Sequence, residues 1–96
     1  MPAPEPSTIT FAITGPLARS DLPALYERAC ALLEESGASL AVCDVDGLGA
    51  DAVAVDALAR LQLAARRHRC RVELRHASDE LRGLIAFMGL EDVLPV

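Results

Sequence analysis

The sequence predicts a small α/β domain, a mixed and mostly parallel β-sheet packed with α-helices in the order β-α-β-α-β-α. Three observations carry this reading. Two segments, Thr8–Thr14 and Cys70–Arg75, alternate apolar and polar residues with the period of a half-buried strand. Three other segments repeat apolar residues at three- and four-residue steps, the period of an amphipathic helix. A continuous apolar run, Ser39–Asp44, lies between the first two helical segments and suits a central strand buried on both faces. Strands that alternate with helices pair mainly in parallel, because each crossover returns the chain to the same edge direction.

Each element has a start and a stop in the residues. Residues 1–6 contain three prolines and read as a flexible lead-in to a domain over 7–96. In the first strand Ile9, Phe11 and Ile13 face one way and Thr8, Thr10 and Thr14 the other; Gly15-Pro16 ends it. Ser20 or Asp21 is placed to cap the first helix, with Pro23 in its first turn. Its stripe is Leu22, Leu25, Tyr26, Ala29 and Leu33, and Gly37 is placed to end it. After the central strand and the loop Val45–Ala50, a second helix is expected from about Asp51 to His68. Ala54, Leu58, Leu61 and Ala65 form one face of it, with Ala57 and Ala64 alongside, so it can approach a sheet closely. Ser78 caps the third helix, with Asp79 and Glu80 at its positive end. Leu81, Leu84, Ile85 and Met88 form its stripe, and Gly89 is a left-handed stop. The tail Val93–Val96 is expected to add a small edge strand or to pack.

Composition narrows the function. The chain has 96 residues, enough for one domain, and 52% of them are hydrophobic but only 3% aromatic, so the core is aliphatic. The formal net charge of −5 argues against nucleic acid, whose phosphates need clustered cations. The one basic run, Arg66-Arg67-His68-Arg69, falls at a helix end, where cations complement the dipole. Cys30, Cys43 and Cys70 are odd in number, lie in apolar segments and show no metal-ligand pairing, which fits free thiols in a reducing compartment. The N-terminus lacks the basic-then-apolar pattern of a signal peptide, and no apolar run has the length of a membrane span. A cytoplasmic protein without membrane insertion is expected.

The densest polar cluster is Asp44, Asp46, Asp51 and Asp56. Its spacing is not that of a calcium loop. DVDG resembles the opening of haloacid-dehalogenase-type phosphotransferases, but the chain is too short for them and has no lysine. We read Asp51 as a helix cap and Asp44 and Asp46 as a solvated turn, and expect no metal. The Gly47-Leu48-Gly49 turn lacks the spacing and lysine of a phosphate loop, and its acidic neighbours repel anions, leaving room for no more than a weak nucleotide contact. Neither His68 nor His76 adjoins a serine or cysteine in a catalytic arrangement. No catalytic residue and no cofactor are expected. A turn and a helix start flanked by small apolar residues describe a docking face better than an active site.

Three stretches carry a family resemblance: FAITGPLARSDLPALYERACALL, AVCDVDGLGADAVAVDALARLQLAARRHRCRVEL and SDELRGLIAFMGLEDVLPV. Together they resemble a STAS domain, the fold of bacterial anti-sigma factor antagonists that regulate transcription. At the helix mouth the family carries an aspartate, two small hydroxyl residues, a glycine and a leucine. Asp51 matches the aspartate, whereas Ala52, Val53 and Ala54 replace the next three residues and Val55 replaces the leucine. In phosphorylated members a partner kinase modifies the serine and the added charge disrupts docking. Ala52 and Val53 therefore occupy the phosphosite without a hydroxyl to modify. The resemblance implies a non-enzymatic module that binds a protein partner through Asp46, Leu48, Asp51, Ala52, Val53 and Asp56. The implied partner is an anti-sigma factor with a serine-kinase fold. The alternative it implies is an accessory subunit of an ABC-type lipid transport ATPase.

Overall fold

The computed structural model describes residues 7–90. The expected lead-in over 1–6 and the tail Val93–Val96 lie outside the described residues. The elements follow the expected order: β1 (Thr8–Ala12), α1 (Leu22–Ser36), β2 (Leu40–Asp44), α2 (Ala52–Arg67), β3 (Arg71–Arg75) and α3 (Asp79–Phe87). A single 3-10 turn, Arg19–Asp21, leads into α1. No helix among the described residues is long and apolar enough to cross a membrane.

The described sheet is parallel throughout, in the order β1-β2-β3. Its register aligns Ile9, Ala41 and Val72 in one row and Phe11, Cys43 and Leu74 in another. Both rows belong to the apolar clusters built with the helices. The intervening row, Thr10, Val42 and Glu73, points to the opposite face because side chains alternate along a strand. β2 is the central strand, and Ala41, Val42 and Cys43 are all buried, as its unbroken apolar run requires.

Two clusters form the core. One gathers Cys43, Val45, Leu58, Leu61, Leu81 and Ile85 from β2 and its extension, α2 and α3. The other gathers Leu33, Ala38, Ala41, Ala64, Ala65 and Cys70 around the far end of α2. Leu58 has no exposed surface, and a side chain of that size contributes about 1.5–3 kcal/mol by leaving water.

The helix ends show which local signals operate. Gly37 closes α1 in the left-handed conformation (φ 58°), donating its N–H to the Leu33 carbonyl at 3.1 Å. Asp21 occupies the N-cap position of α1 but does not cap it: its Oδ2 accepts from the Ala18 N–H at 2.8 Å. The preceding turn takes the carboxylate backward, and Pro23 in the first turn has no N–H to satisfy. Ser78 caps α3, its Oγ accepting from the Leu81 N–H at 3.1 Å. At the other end Gly89 (φ 73°) and Leu90 donate to the carbonyls of Ala86 and Ile85, the paired bonds of a Schellman motif. Met88, expected in the apolar stripe of α3, is 44% exposed. It is the C-cap rather than a helical residue, so the stripe stops at Ile85.

Candidate functional site

β2 carries the chain through the middle of the sheet and releases it at Asp44, in the loop that precedes α2. Asp44 Oδ1 accepts from the Asp46 N–H at 3.0 Å and lies 3.3 Å from Nδ1 of His76. The Asp46 hydrogen bond, helped by that of His76, holds the Asp44 carboxyl below its usual range. His76 reaches it from the β3–α3 loop in a left-handed conformation, φ 62°. The DVD segment is therefore a self-bonded turn. Among the described residues, no group of three or more His, Cys, Asp or Glu is placed to hold a metal ion.

The β2–α2 loop is pressed against the β1–α1 loop. The Gly15 N–H donates to the Gly47 carbonyl at 3.0 Å. A Cβ on Gly47 would lie 3.1 Å from Cγ2 of Thr14, so that approach favours glycine. The Leu48 N–H donates to the Val45 carbonyl at 3.0 Å, and this turn directs the Leu48 side chain inward. At 6% exposure it belongs to the core cluster of Leu58 and Ile85. The expectation that Leu48 presents itself to a partner is thus corrected. The loop is short, and its apolar residues Val45 and Leu48 are both drawn into the nearest apolar volume.

α2 begins at a well-made cap. Asp51 is extended (φ −136°, ψ 171°), and its Oδ1 accepts from the Ala54 N–H at 2.8 Å. Ala52 is exposed and Val53 half-buried, while Ala54 and Val55 turn into the core. Asp46 is exposed on the preceding turn, and Asp56 is half-buried one turn inside the helix. Five of the six expected contact residues therefore reach the surface at one end of the molecule. The mouth of the helix offers one carboxylate, already engaged in capping, and two aliphatic side chains.

One contributor escaped the sequence reading. Arg19, from the turn before α1, donates to Asp56 Oδ2 at 3.2 Å, while Arg60 donates to Oδ1 at 3.0 Å. Asp56 thus ties the β1–α1 connection to α2 across 37 residues of sequence. Arg60, four residues after Asp56, was a readable helical partner. Arg19 carried no signal, because nothing local states which loop will lie beside α2.

Cys43 and Cys70 are buried in the core. Burial pushes the Cys43 thiol up to about 12, with the Asp44 charge adding to the effect. Burial also raises the Cys70 thiol. Neither is a thiolate nucleophile near neutral pH. His68 is the C-cap of α2, and the basic run continues into Arg69, which takes the left-handed position (φ 55°) that glycine usually fills. The Arg69 and Cys70 N–H groups close the helix on the Arg66 and Ala65 carbonyls. Arg67 donates to the Tyr26 hydroxyl at 3.1 Å.

No curated protein matches the chain. The described residues build a parallel three-stranded sheet with a helix after each strand, and a short loop and a capped helix follow the central one. Residues 3–95 match the family model described as "Mlab, STAS domain", and the chain belongs to the STAS domain family of protein-interaction modules.

Proposed function

We propose that this protein is a non-enzymatic, anti-sigma factor antagonist-like regulator. It docks a partner of serine-kinase fold through the β2–α2 loop and the first turn of α2. The contacts are Asp46, Asp51, Ala52, Val53 and Asp56, with Arg19 extending the surface beside them. One observation carries the reading: the exposed, firmly capped start of α2 presents only aliphatic side chains at Ala52 and Val53. A surface held in shape but without a nucleophile or a modifiable hydroxyl suits binding that is not switched at that position. A helix mouth with no modifiable hydroxyl also suits a subunit that stays bound, which favours a second reading, an accessory role beside an ABC-type lipid transport ATPase.

Affinity capture from the native host tests this, with Ala52→Glu as the control. A carboxylate in the first turn suits the helix dipole, so the variant folds, yet it places negative charge where a phosphate would sit in the family. The expected result is retention of a kinase-fold anti-sigma factor by the wild type and its loss from the variant, with unchanged circular dichroism. Equal capture by both displaces the binding face. Retention of an ABC ATPase instead establishes the second reading. Stoichiometric phosphorylation of the wild-type chain by the captured kinase overturns the unswitched character of the site.

A further inference from the structure

A cavity of about 180 Å³ opens between α1 and α2 at the β1 side of the molecule. The small residues Ala29 of α1 and Ala57 of α2 line it. Phe11, Leu25 and Leu61 supply apolar walls. Three residues line the cavity yet reach solvent: Leu32, 45% exposed, and the exposed Arg28 and Arg60. No acidic residue lines it, although the whole chain carries a net charge of −5.

The two cations are not used up by the fold. Arg28 makes no ion pair or hydrogen bond among the described residues. Arg60 engages Asp56 through Nε, and Asp56 also serves Arg19, so that trio retains one positive charge. The nearby Tyr26 hydroxyl is taken by Arg67. The site therefore offers apolar volume inside and cationic donors at the rim. Cavities of about 150 Å³ lined by aliphatic side chains hold a guest the size of benzene, so this one has room for an apolar group somewhat larger, such as several carbons of a saturated chain.

We propose that the α1–α2 cavity binds a medium-chain fatty acid, its tail among Phe11, Leu25 and Leu61 and its carboxylate against Arg28 and Arg60. The carboxylate gains charge-assisted, fork-shaped hydrogen bonds that an alcohol or an alkane cannot make. The tail leaves water for a pocket whose walls are already apolar. This site involves none of the five exposed docking residues except through the Asp56–Arg60 pair, and it stands independently of the docking reading.

Titration of the full chain with sodium octanoate below its micellar concentration, read by calorimetry and amide chemical shifts, tests the proposal, with 1-octanol as the uncharged comparison. Octanoate is expected to bind saturably, one per chain, with the shifts centred on α1 and α2. Arg28→Ala is expected to weaken it about tenfold or more, the loss of one charge-assisted bond. Leu32→Glu is expected to abolish it, and both changes lie at the surface, so circular dichroism and melting temperature are unchanged. Failure of octanoate to bind the wild type overturns the proposal, as do equal binding of octanol and unaltered affinity in Leu32→Glu. Concentration-dependent dimerisation that Leu32→Glu removes, without octanoate binding, assigns the cavity to a second copy and equally overturns it.

Discussion

Both halves of α2 bury alanines, and those alanines do opposite things. In the second half Ala64 and Ala65 have no exposed surface and share a cluster with Ala41 and Cys70, so the absence of side chain lets backbone and sheet come together. In the first half Ala57 is equally buried, at 1% exposure, but with Ala29 of α1 it lines a cavity. The exposed mouth, Ala52 and Val53, adds small side chains at the surface. An alanine is a close contact where the opposing element can advance and a void where it cannot. α2 rests on the sheet, and on its α1 side the larger Leu61 and Leu25 stand beside the gap.

The comparison breaks most directly under enlargement of those alanines. Ala64→Leu forces extra volume into a closed contact and is expected to cost about 1–3 kcal/mol. Ala57→Leu extends into existing space and is expected to cost less than about 1 kcal/mol, or to stabilise. Urea unfolding of both variants measures the difference, and equal costs would show that the two halves are packed alike. The larger side chain in Ala57→Leu would also occupy the volume assigned to the alkyl tail, so octanoate binding should fall in that variant.

A smaller effect separates the cap of α2 from the surface it supports. Asp51→Ala removes the acceptor of the Ala54 N–H and is expected to lower stability by about 1 kcal/mol, whereas Asp51→Asn, an equally good cap, should change it by only a few tenths. Thermal unfolding with partner capture on both variants sharpens the assignment. If Asn keeps stability but loses capture, the charge of Asp51 is read by the partner. If both are retained, Asp51 is a cap alone.

The smallest effect is at Asp44. Its folded carboxyl titrates below the ordinary value of 3.8, because Asp46 and His76 bond the ionised form. The group therefore contributes stability at pH values above 3.8 that is lost as pH falls through the lower, folded value. Exposure to solvent keeps the contribution small. Melting temperature against pH should fall less steeply in acid for Asp44→Asn than for the wild type; coincident curves would mean that the turn bond carries no linkage.

Most of the fold could be read along the chain because its determinants are local. A strand declares itself by alternation, as at Thr8–Ala12 and Arg71–Arg75. A helix declares itself by stripe and punctuation, as with Asp51 and Ser78 before α2 and α3 and Gly37 and Gly89 after α1 and α3. The absence of a hydroxyl at Ala52 and Val53 is equally plain in one dimension. Asp21 is instructive because its residue type and position predicted a cap, yet the preceding turn offered the nearer donor at Ala18. Leu48 and Met88 were misplaced for a related reason: periodicity says which residues share a face but not where the opposing apolar volume ends.

The order of elements, their boundaries and the chemistry missing from the helix mouth were thus settled by neighbours a few residues apart, since caps, pleats and stripes are short-range geometry. The inward turn of Leu48, the Arg19–Asp56 tie and the cationic rim over the α1–α2 cavity were settled by folding. Each depends on which distant surfaces meet and how far larger side chains hold them apart, and no local pattern encodes a distance between elements.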